Sequence, residues 1–457
     1  MTEYRKITKA YEEKLLETLA NFVAINSVYD EDTVSEKDPF GKGVSKALNF
    51  ICEHAKKDGF KATNYDNKVV EILCGDGNKN ITIMAHADVV PAASGWDQNP
   101  FSMVDHGDII TGRGVADDKG PLLAAYYAMK AVRDNHLLGN YQIRFLVGGN
   151  EESGSLGIEH YFHTLNKKQP DLGFSPDANY PLIFAEKGII NFKVKKEIQI
   201  DGLISLHGGV ASNSVIEECT IKMQLDENFL NFLRTSNYKY KVIKDNDFMD
   251  IIFLGKAAHG ASPELGINAG MIALKALAEY KNNQELLDLV KKYSPLKGEG
   301  INADSYSEDM GHNSLNVGLL SITDNQFEMV VNFRHVDTCN PNTLINNIKK
   351  ASEPFDIEVM SIAPLLFYPK DSDLVKILLN AYQEETGDYD SKPIAIGGGT
   401  YAKEADNIIA FGAEFLDFDT KMHSPGERAR KEDLFKSISI YAKAIVDLGK
   451  KLDENKI

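Results

Sequence analysis

The chain has 457 residues, enough for one large domain or two ordinary ones. Hydrophobic residues make up 43% and charged residues 26%, a balance that is typical of a folded globular protein and excludes a disordered chain. The formal net charge of −17 disfavours binding to nucleic acid phosphates and to anionic lipid surfaces, because like charges repel.

The cysteines and the amino-terminal segment indicate a compartment. Cys52, Cys74, Cys219 and Cys339 form no C-x-x-C pair, so we expect no structural zinc knot, and their low density fits a reducing compartment. Residues 1–10 are polar and lack the apolar core of a secretory signal, and no apolar run is long enough to span a bilayer. We therefore expect a cytoplasmic protein that binds neither nucleic acid nor membranes.

The first part of the chain alternates between predicted helices and strands. Helical spacing of apolar residues, and runs rich in β-branched residues, distinguish the two. The predicted helices are 12–24, 44–57 and 120–132, and the predicted strands are 80–85 and 141–147. Strand–helix alternation of this kind favours a mostly parallel sheet that is covered by helices.

This alternation of helices and strands stops near residue 188 and returns near residue 369. Between them, half-exposed strands and separate helices predict an α+β arrangement. Its strands are predicted at 191–200, 248–254, 315–320, 327–334 and 357–362, and its helices at 266–280 and 341–350. After it come a helix at 371–385, a glycine run at 397–399, a strand at 408–411 and a helix from Lys431. We predict a doubly wound, mostly parallel α/β domain in two pieces, 1–187 and 369–457, with an inserted α+β domain at 188–368.

A histidine and an aspartate follow the apolar strand 80–85, in the sequence Met-Ala-His86-Ala-Asp88. Two residues apart on a strand, their side chains point to the same side, and strand carboxyl ends are where open α/β sheets bind ligands. Histidine is a good ligand for zinc, and a nearby carboxylate fixes the tautomer of its ring. Taken alone, His86 and Asp88 could equally be two polar residues with a purely structural role.

Two further pairs of acids stand at equivalent places. Asp117 and Asp118 begin the helix 120–132, where a carboxylate could bridge two cations about 4 Å apart or simply complement the helix terminus. Glu151 and Glu152 follow the strand 141–147. Adjacent like charges cost free energy unless a cation or a shared proton compensates. One glutamate could therefore ligate a metal while the other takes a proton from water, with solvated loop acids as the alternative.

Asp177, in Phe-Ser-Pro-Asp-Ala, and His423, in Met-His-Ser-Pro-Gly-Glu, lie in predicted loops and are weak signals alone. The prediction of a metal site depends on all five clusters together, because four of them follow candidate strands or begin helices. Together they offer oxygen and nitrogen ligands without a thiolate, which suits zinc, manganese or cobalt.

At this point the chain resembles a known family. The ordered motifs H-A-D, G-R-G-x-x-D-D-K-G, E-E-S, P-D-A and H-S-P-G-E are similar to those of the di-metal aminoacylase/carboxypeptidase superfamily, peptidase family M20. Within it the chain is most similar to the bacterial dipeptidase V group, relatives of carnosinases and of succinyl-diaminopimelate desuccinylases. The resemblance extends over nearly the whole chain and implies that the two-piece domain is catalytic and the inserted domain is a lid.

The resemblance implies two metal-ligand sets that share one aspartate. The sets are His86, Asp117 and Asp177 for one ion, and Asp117, Glu152 and His423 for the other. Asp88 would orient His86, and Glu151 would act as general base and later as acid. Asp118 is interpreted as a neighbour and not as a ligand.

In the lid, His259 resembles the histidine that polarises the scissile carbonyl, and Arg334 resembles the arginine that pairs with the substrate's C-terminal carboxylate. Asn213 matches an asparagine that reaches the same carboxylate, although Ser214 follows it where the family usually has methionine. The loop that closes this end of the pocket would be Gly398, Gly399 and Thr400. From the residues alone, a loop histidine, a strand-face ion pair and a tight turn remain alternatives.

The resemblance therefore implies a metal-dependent dipeptidase that acts on dipeptides with a free C-terminal carboxylate, through a water shared by two divalent ions, Zn²⁺ or Mn²⁺, or Co²⁺. An N-acyl amino acid deacylase or desuccinylase on the same scaffold is one alternative. An inactive, metal-dependent peptide-binding protein is an alternative from another class. The insert of about 180 residues is similar to larger lids that imitate a second subunit, so we expect a monomer, with a dimer as the alternative.

Overall fold

A computed structural model describes residues 1–454, so the last three residues of the predicted two-piece domain, 455–457, lie outside the described residues. The chain divides into two compact units. The first unit comprises Met1–Phe184, Tyr368–Ile394 and Gly399–Ile457, and the second comprises Ala185–Phe367 and Ala395–Gly398.

A mixed sheet forms the centre of the first unit. In spatial order, seven of its nine strands are Lys61–Tyr65, Val69–Cys74, Gln142–Gly148, Asn80–His86, Leu172–Ser175, Ile408–Ala410 and Ile183–Glu186. The four strands from Gln142–Gly148 to Ile408–Ala410 are parallel, and the strands outside them are antiparallel. The sheet is thus parallel only at its centre. Its first two strands join as a hairpin through Asp66 and Asn67, both at positive φ.

The strand Asn80–His86 is buried along its whole length, as its apolar, β-branched sequence predicts. The helices Lys119–Asp134 and Lys431–Glu454 pack against each other and against this strand. Pro121 lies in the first turn of its helix, where a missing N–H costs no intrahelical hydrogen bond. The other α-helices of the first unit are Glu3–Thr8, Glu12–Val23, Lys42–Lys57, Leu156–Glu159 and Asp373–Thr386.

Shorter pairings in the first unit hold loops that carry predicted site residues. Ala178–Asn179 pairs in parallel with Ala413–Glu414. A three-stranded sheet joins Val104–Asp105, Ile109–Thr111 and Arg428–Arg430. These pairings bring segments that are distant in the sequence side by side.

The second unit is built on one eight-stranded sheet, in which every neighbouring pair is antiparallel. In spatial order its strands are Tyr240–Asp245, Phe248–Leu254, Glu218–Gln224, Leu203–Gly208, Ser314–Thr323, Gln326–His335, Gly188–Glu197 and Asp356–Ala363. Its α-helices are Glu227–Arg234, Ala269–Tyr280, Gln284–Tyr293 and Pro341–Ser352. Apolar residues of the strands and of these helices form one continuous core.

The predicted α/β class with an α+β insertion is confirmed. Most predicted elements agree with the structure to within a few residues, including Asn80–His86, Lys119–Asp134 and Phe248–Leu254. Within the described residues, the helices are too short or too polar to cross a bilayer. The four cysteines are free, and all except Cys339 are buried.

Candidate metal centre

Five predicted ligands converge in the first unit, although they are spread over more than 330 residues of sequence. His86 is the last residue of a central strand, and Asp117 precedes the helix Lys119–Asp134. Glu152 follows the strand Gln142–Gly148, and Asp177 follows the strand Leu172–Ser175. Because the parallel strands end at one edge of the sheet, their following loops meet there.

Asp117 lies between two groups of ligand atoms, and each of its carboxylate oxygens faces a different histidine. Its Oδ1 is 3.1 Å from Nε2 of His86, and its Oδ2 is 2.7 Å from Nε2 of His423. Asp177 Oδ2 is 3.6 Å from the same His86 nitrogen, and Glu152 Oε1 is 3.2 Å from the His423 nitrogen. In each group, the candidate ligand atoms lie within 4.8 Å of one another.

The ring of His86 is fully buried and is held from its far side. Its Nδ1 lies 3.0 Å from the main-chain carbonyl of Asp88 and 3.4 Å from the Asp88 carboxylate. A proton on Nδ1 leaves the Nε2 lone pair directed at Asp117 and Asp177. Burial alone would lower the pKa of His86, but hydrogen bonds to Asp117 and Asp88 outweigh it and raise that pKa well above its ordinary value.

The Asp88 carboxylate has a second contact that the sequence did not indicate. It accepts hydrogen bonds from the backbone N–H groups of Glu151 and Glu152, both at 3.1 Å. One aspartate therefore lies against His86 and also holds the loop that carries both glutamates. The loop geometry depends on this carboxylate, because its two oxygens bond two successive amides.

The two glutamates of this loop stand in different relations to the ligand groups. The Glu152 carboxylate belongs to the group around His423, whereas the Glu151 carboxylate belongs to neither group. Burial raises the pKa of Glu151 well above its ordinary value, and the negative charges of Asp177 and Glu152 add to the effect. Burial likewise raises the pKa of Asp177, to about 7.

Asp118 sits at the N-cap position of the helix Lys119–Asp134 but makes no capping hydrogen bond. Its Oδ2 instead accepts a hydrogen bond of 3.0 Å from the backbone N–H of His86. It belongs to neither ligand group, and its peptide bond to Asp117 is cis. Asp118 therefore stands at the helix terminus, as the alternative interpretation of this pair expected, but it makes no side-chain cap.

The loop that carries Asp117 is held by Glu427, which is fully buried. Its Oε1 accepts hydrogen bonds from the backbone N–H groups of Gly114, Ala116 and Asp117. Its Oε2 accepts a hydrogen bond of 2.6 Å from the guanidinium of Arg113. Gly114 adopts a φ of +93°, which favours glycine. Glu427 is the last residue of the motif H-S-P-G-E, and the motif alone indicated no role for it.

The donor set fits divalent cations. Carboxylate oxygens and imidazole nitrogens are the ligands that zinc and manganese take, and one carboxylate faces both groups. The buried acids around this point outnumber the two histidines, so negative charge remains in excess even if both rings are protonated. Divalent cations bound by these carboxylates would offset that excess.

The predicted substrate residues of the second unit form two local arrangements. Asn213 and His259 are both exposed. Their backbones are adjacent, because the Gly260 N–H donates to the Asn213 carbonyl at 2.7 Å and Ser214 forms an isolated β-bridge with His259. Arg334 is buried on the strand Gln326–His335 and donates from Nη1 to the carbonyl of Gly397.

The predicted closing loop is divided between the units. Gly398 belongs to the second unit, and Gly399 and Thr400 belong to the first. The Thr400 side chain accepts a hydrogen bond from the N–H of Ala402 and so caps the short helix Tyr401–Glu404. Capping this short helix is therefore a structural role for Thr400, the residue that follows the glycine run.

The motifs at this edge of the sheet can be compared with those of known proteins. The family model described as Peptidase family M20/M25/M40 matches residues 82–447. The chain belongs to this peptidase family. It is accordingly a hydrolase, as the motifs predicted.

Relatives of this M20 peptidase carry a consistent name. A protein of Staphylococcus haemolyticus named "Putative dipeptidase" is 33% identical over 467 aligned residues, which cover 97% of this chain and 99% of the relative. A protein of Staphylococcus aureus strain USA300 with the same description matches to the same extent. The similarity thus extends through both units of the M20 peptidase.

Solved structures share the fold at much lower identity. The dipeptidase Dug1p of Saccharomyces cerevisiae superposes with a TM-score of 0.60 at 16% identity, covering 98% of each chain. Human carnosine dipeptidase 1 superposes with a TM-score of 0.57 at 13% identity, covering 98% of this chain and 99% of its own. At this identity the likeness is one of architecture.

Proposed function

We propose that this M20 peptidase is a dipeptidase that hydrolyses the amide bond of dipeptides with a free C-terminal carboxylate. The observation that carries the proposal is the position of Asp117, whose two oxygens face two separate ligand groups at 3.1 and 2.7 Å. A shared carboxylate of this kind is the hallmark of a two-metal hydrolytic site. The description of the relatives as dipeptidases supports the choice of substrate.

Two divalent ions, Zn²⁺ or Mn²⁺, with Co²⁺ as a third candidate, would be held by the two groups defined above. His86, Asp117 and Asp177 would hold one, and Asp117, Glu152 and His423 the other. When bound, the ions would lower the pKa of a water molecule and polarise the scissile carbonyl. Asp88 would keep the His86 ring oriented, because it lies against Nδ1 and leaves Nε2 for the ion.

Glu151 would take a proton from the attacking water and later return it to the leaving amine. Its carboxylate lies beside the ligand groups without belonging to either, and its backbone is held by Asp88. Burial raises the pKa of Glu151, which makes its carboxylate a stronger base than that of an exposed glutamate. Glu152, by contrast, faces His423 and is assigned as a ligand.

The second unit would recognise the substrate. Arg334 would pair with the C-terminal carboxylate, for which a planar guanidinium is well suited, and Asn213 would add a hydrogen bond to it. His259 would stabilise the oxyanion that forms on the scissile carbonyl. The loop of Gly398, Gly399 and Thr400 would limit the space beyond the carboxylate and so favour short peptides.

The first test compares Glu151→Gln with the exposed control Asp105→Asn. We expect Glu151→Gln to lower kcat by more than about a thousandfold, while its metal content stays at the wild-type level. The control should retain both activity and metal. Near-native turnover by a metal-replete Glu151→Gln enzyme would overturn the assignment of the base.

The second test is a substrate panel in zinc, manganese and cobalt, with dipeptides set against N-acyl amino acids and N-succinyl amino acids. Turnover of dipeptides in at least one metal is expected. Robust turnover of only the acylated amino acids would replace the dipeptidase by a deacylase or desuccinylase. Binding of dipeptides without turnover in every metal would favour a peptide-binding protein. Sedimentation of the same preparation would test the proposed monomer.

A further inference from the structure

The surroundings of Arg334 show how its guanidinium is held. The side chain is only 3% exposed, and both of its hydrogen-bond acceptors are uncharged. Nε donates to Asn332 Oδ1 at 2.9 Å, and Nη1 donates to the main-chain carbonyl of Gly397. Burial is the one effect that shifts the pKa of Arg334, which it lowers to about 10. Among the described residues, the hydrogen-bond acceptors of this buried cation are therefore neutral dipoles.

Asn332 is the first member of a hydrogen-bonded row that crosses three strands. Residues 332 and 334 are two apart on one strand, so their side chains share a face of the sheet. Asn191 stands directly opposite Asn332 on the next strand. Asn332 Nδ2 donates to Asn191 Oδ1 at 2.7 Å, and Asn191 Nδ2 donates to Ser361 Oγ at 3.0 Å. The row thus runs from the guanidinium of Arg334 to an exposed hydroxyl.

Chemistry decides how each amide in this row is oriented. A guanidinium has only donors, so the atom of Asn332 that faces Arg334 must be its oxygen. The amide nitrogen of Asn332 then faces Asn191 and requires an oxygen there in turn. Asn332 is 3% exposed and both ends of its amide are engaged, so its position is closely defined.

The contacts also determine which edge of the guanidinium is left for a ligand. Of the five N–H donors of arginine, Nε uses its one on Asn332, and Nη1 uses one of its two on Gly397. The side-on fork formed by Nε and Nη2 is therefore blocked. The donors that remain belong to Nη1 and Nη2, so the Nη groups are the part of the guanidinium that can still bind carboxylate oxygens.

We infer that Asn332 is a positioning residue for substrate binding, which holds the Nε edge of Arg334 and turns its Nη edge towards the C-terminal carboxylate. The inference rests on the proposed function and adds a residue to it. An asparagine suits this place because a neutral acceptor orients the guanidinium without neutralising it. An aspartate would form an ion pair with Arg334 and compete with the substrate.

The experiment measures kcat and KM of the metal-loaded enzyme for alanylalanine and for its C-terminal amide. The wild type should prefer the free acid. Asn332→Ala should raise KM for the acid by about tenfold, the loss expected for one hydrogen bond to a charged group, with kcat within about twofold. Asn332→Asp should raise this KM further and reduce the preference for acid over amide. Ser361→Ala, at the exposed end of the row, should leave both parameters unchanged.

A double-mutant cycle separates positioning from a merely structural role. If Asn332 acts through Arg334, Asn332→Ala should add little to the effect of Arg334→Ala. Thermal unfolding of each variant shows whether it is folded, and Asn332→Asp, which preserves the side-chain shape, keeps the test available should the alanine variant unfold.

The outcomes are distinguishable. Wild-type turnover with no preference for acid over amide would overturn the proposed carboxylate recognition and this inference with it. A wild-type preference that persists in folded Asn332→Ala and Asn332→Asp enzymes would overturn the inference alone. Additive effects of Asn332→Ala and Arg334→Ala would also overturn it, because the two residues would then act independently.

Discussion

The two halves of the candidate metal centre share Asp117 but are built in different ways. His86 ends a buried central strand, has a fully buried ring and is held through Nδ1 by Asp88. His423 stands in a loop, adopts a φ of +59° and has a side chain that is 52% exposed. The strand constrains one half through packing, whereas the other half depends on a loop that solvent reaches. We expect the first half to be rigid without metal and the second to depend on metal for its order.

The largest effect should come from Asp117, the one residue common to both halves. Asp117→Asn removes a charged oxygen from between the two ligand groups, so we expect loss of activity by more than about a thousandfold and a metal content below half that of the wild type. Elemental analysis and dipeptide turnover measure this. Asp118→Asn is the matched control, because Asp118 belongs to neither group and should keep its metal. Wild-type metal content in Asp117→Asn would break the idea of a shared ligand.

Glu427 holds the loop that carries the shared ligand Asp117. Glu427→Gln keeps an oxygen for the backbone amides but breaks the buried ion pair with Arg113, which should lower the free energy of unfolding by about 3–5 kcal/mol. Urea unfolding of the metal-free protein measures the change. A loss below about 1 kcal/mol would mean that the loop of Asp117 holds its shape without this pair. Replacing Glu432, which is exposed, by glutamine provides the comparison.

Metal should stabilise the fold because the acids are arranged before it binds. Burial raises the pKa values of Glu151 and Asp177, and the negative charges of neighbouring carboxylates raise them further, so bound cations would relieve this repulsion. An ion that binds only the folded state adds about 2.7 kcal/mol when its concentration is a hundred times Kd. We expect zinc or manganese to raise the Tm of the chelator-treated protein. An unchanged Tm at saturating metal would argue against a preformed site.

The smallest effect, and the sharpest comparison, concerns the two histidines in the metal-free protein. His86→Ala leaves buried acceptors on Asp88 and Asp117 without a donor, so it should lower the free energy of unfolding by about 2 kcal/mol. His423 also contacts Asp117 and Glu152, but its side chain is 52% exposed, so His423→Ala should lower the free energy of unfolding by less than His86→Ala does. Urea unfolding in chelator compares them. Equal losses would show that the two halves are equally constrained.

Much of the fold followed from local pattern, and the exceptions have physical causes. The strand Asn80–His86 was predicted because it is a run of apolar and β-branched residues, and the helix Lys119–Asp134 was predicted with Pro121 in its first turn. The hairpin strand Lys61–Tyr65 was missed because it is largely polar and only partly buried. This strand and Val69–Cys74 form the antiparallel side of the sheet, which strand–helix alternation could not indicate.

Some features of the candidate metal centre likewise followed from the sequence, and others appeared only in the tertiary structure. The sequence by itself determined which residue types were available and in what order, and the ordered motifs indicated the M20 family. Only the tertiary structure decided that the two oxygens of Asp117 face different histidines, that Asp88 also bonds the amides of Glu151 and Glu152, and that Asn332 meets Arg334. Such contacts depend on the separation and direction of individual atoms across strands and loops, and local periodicity carries no information about either.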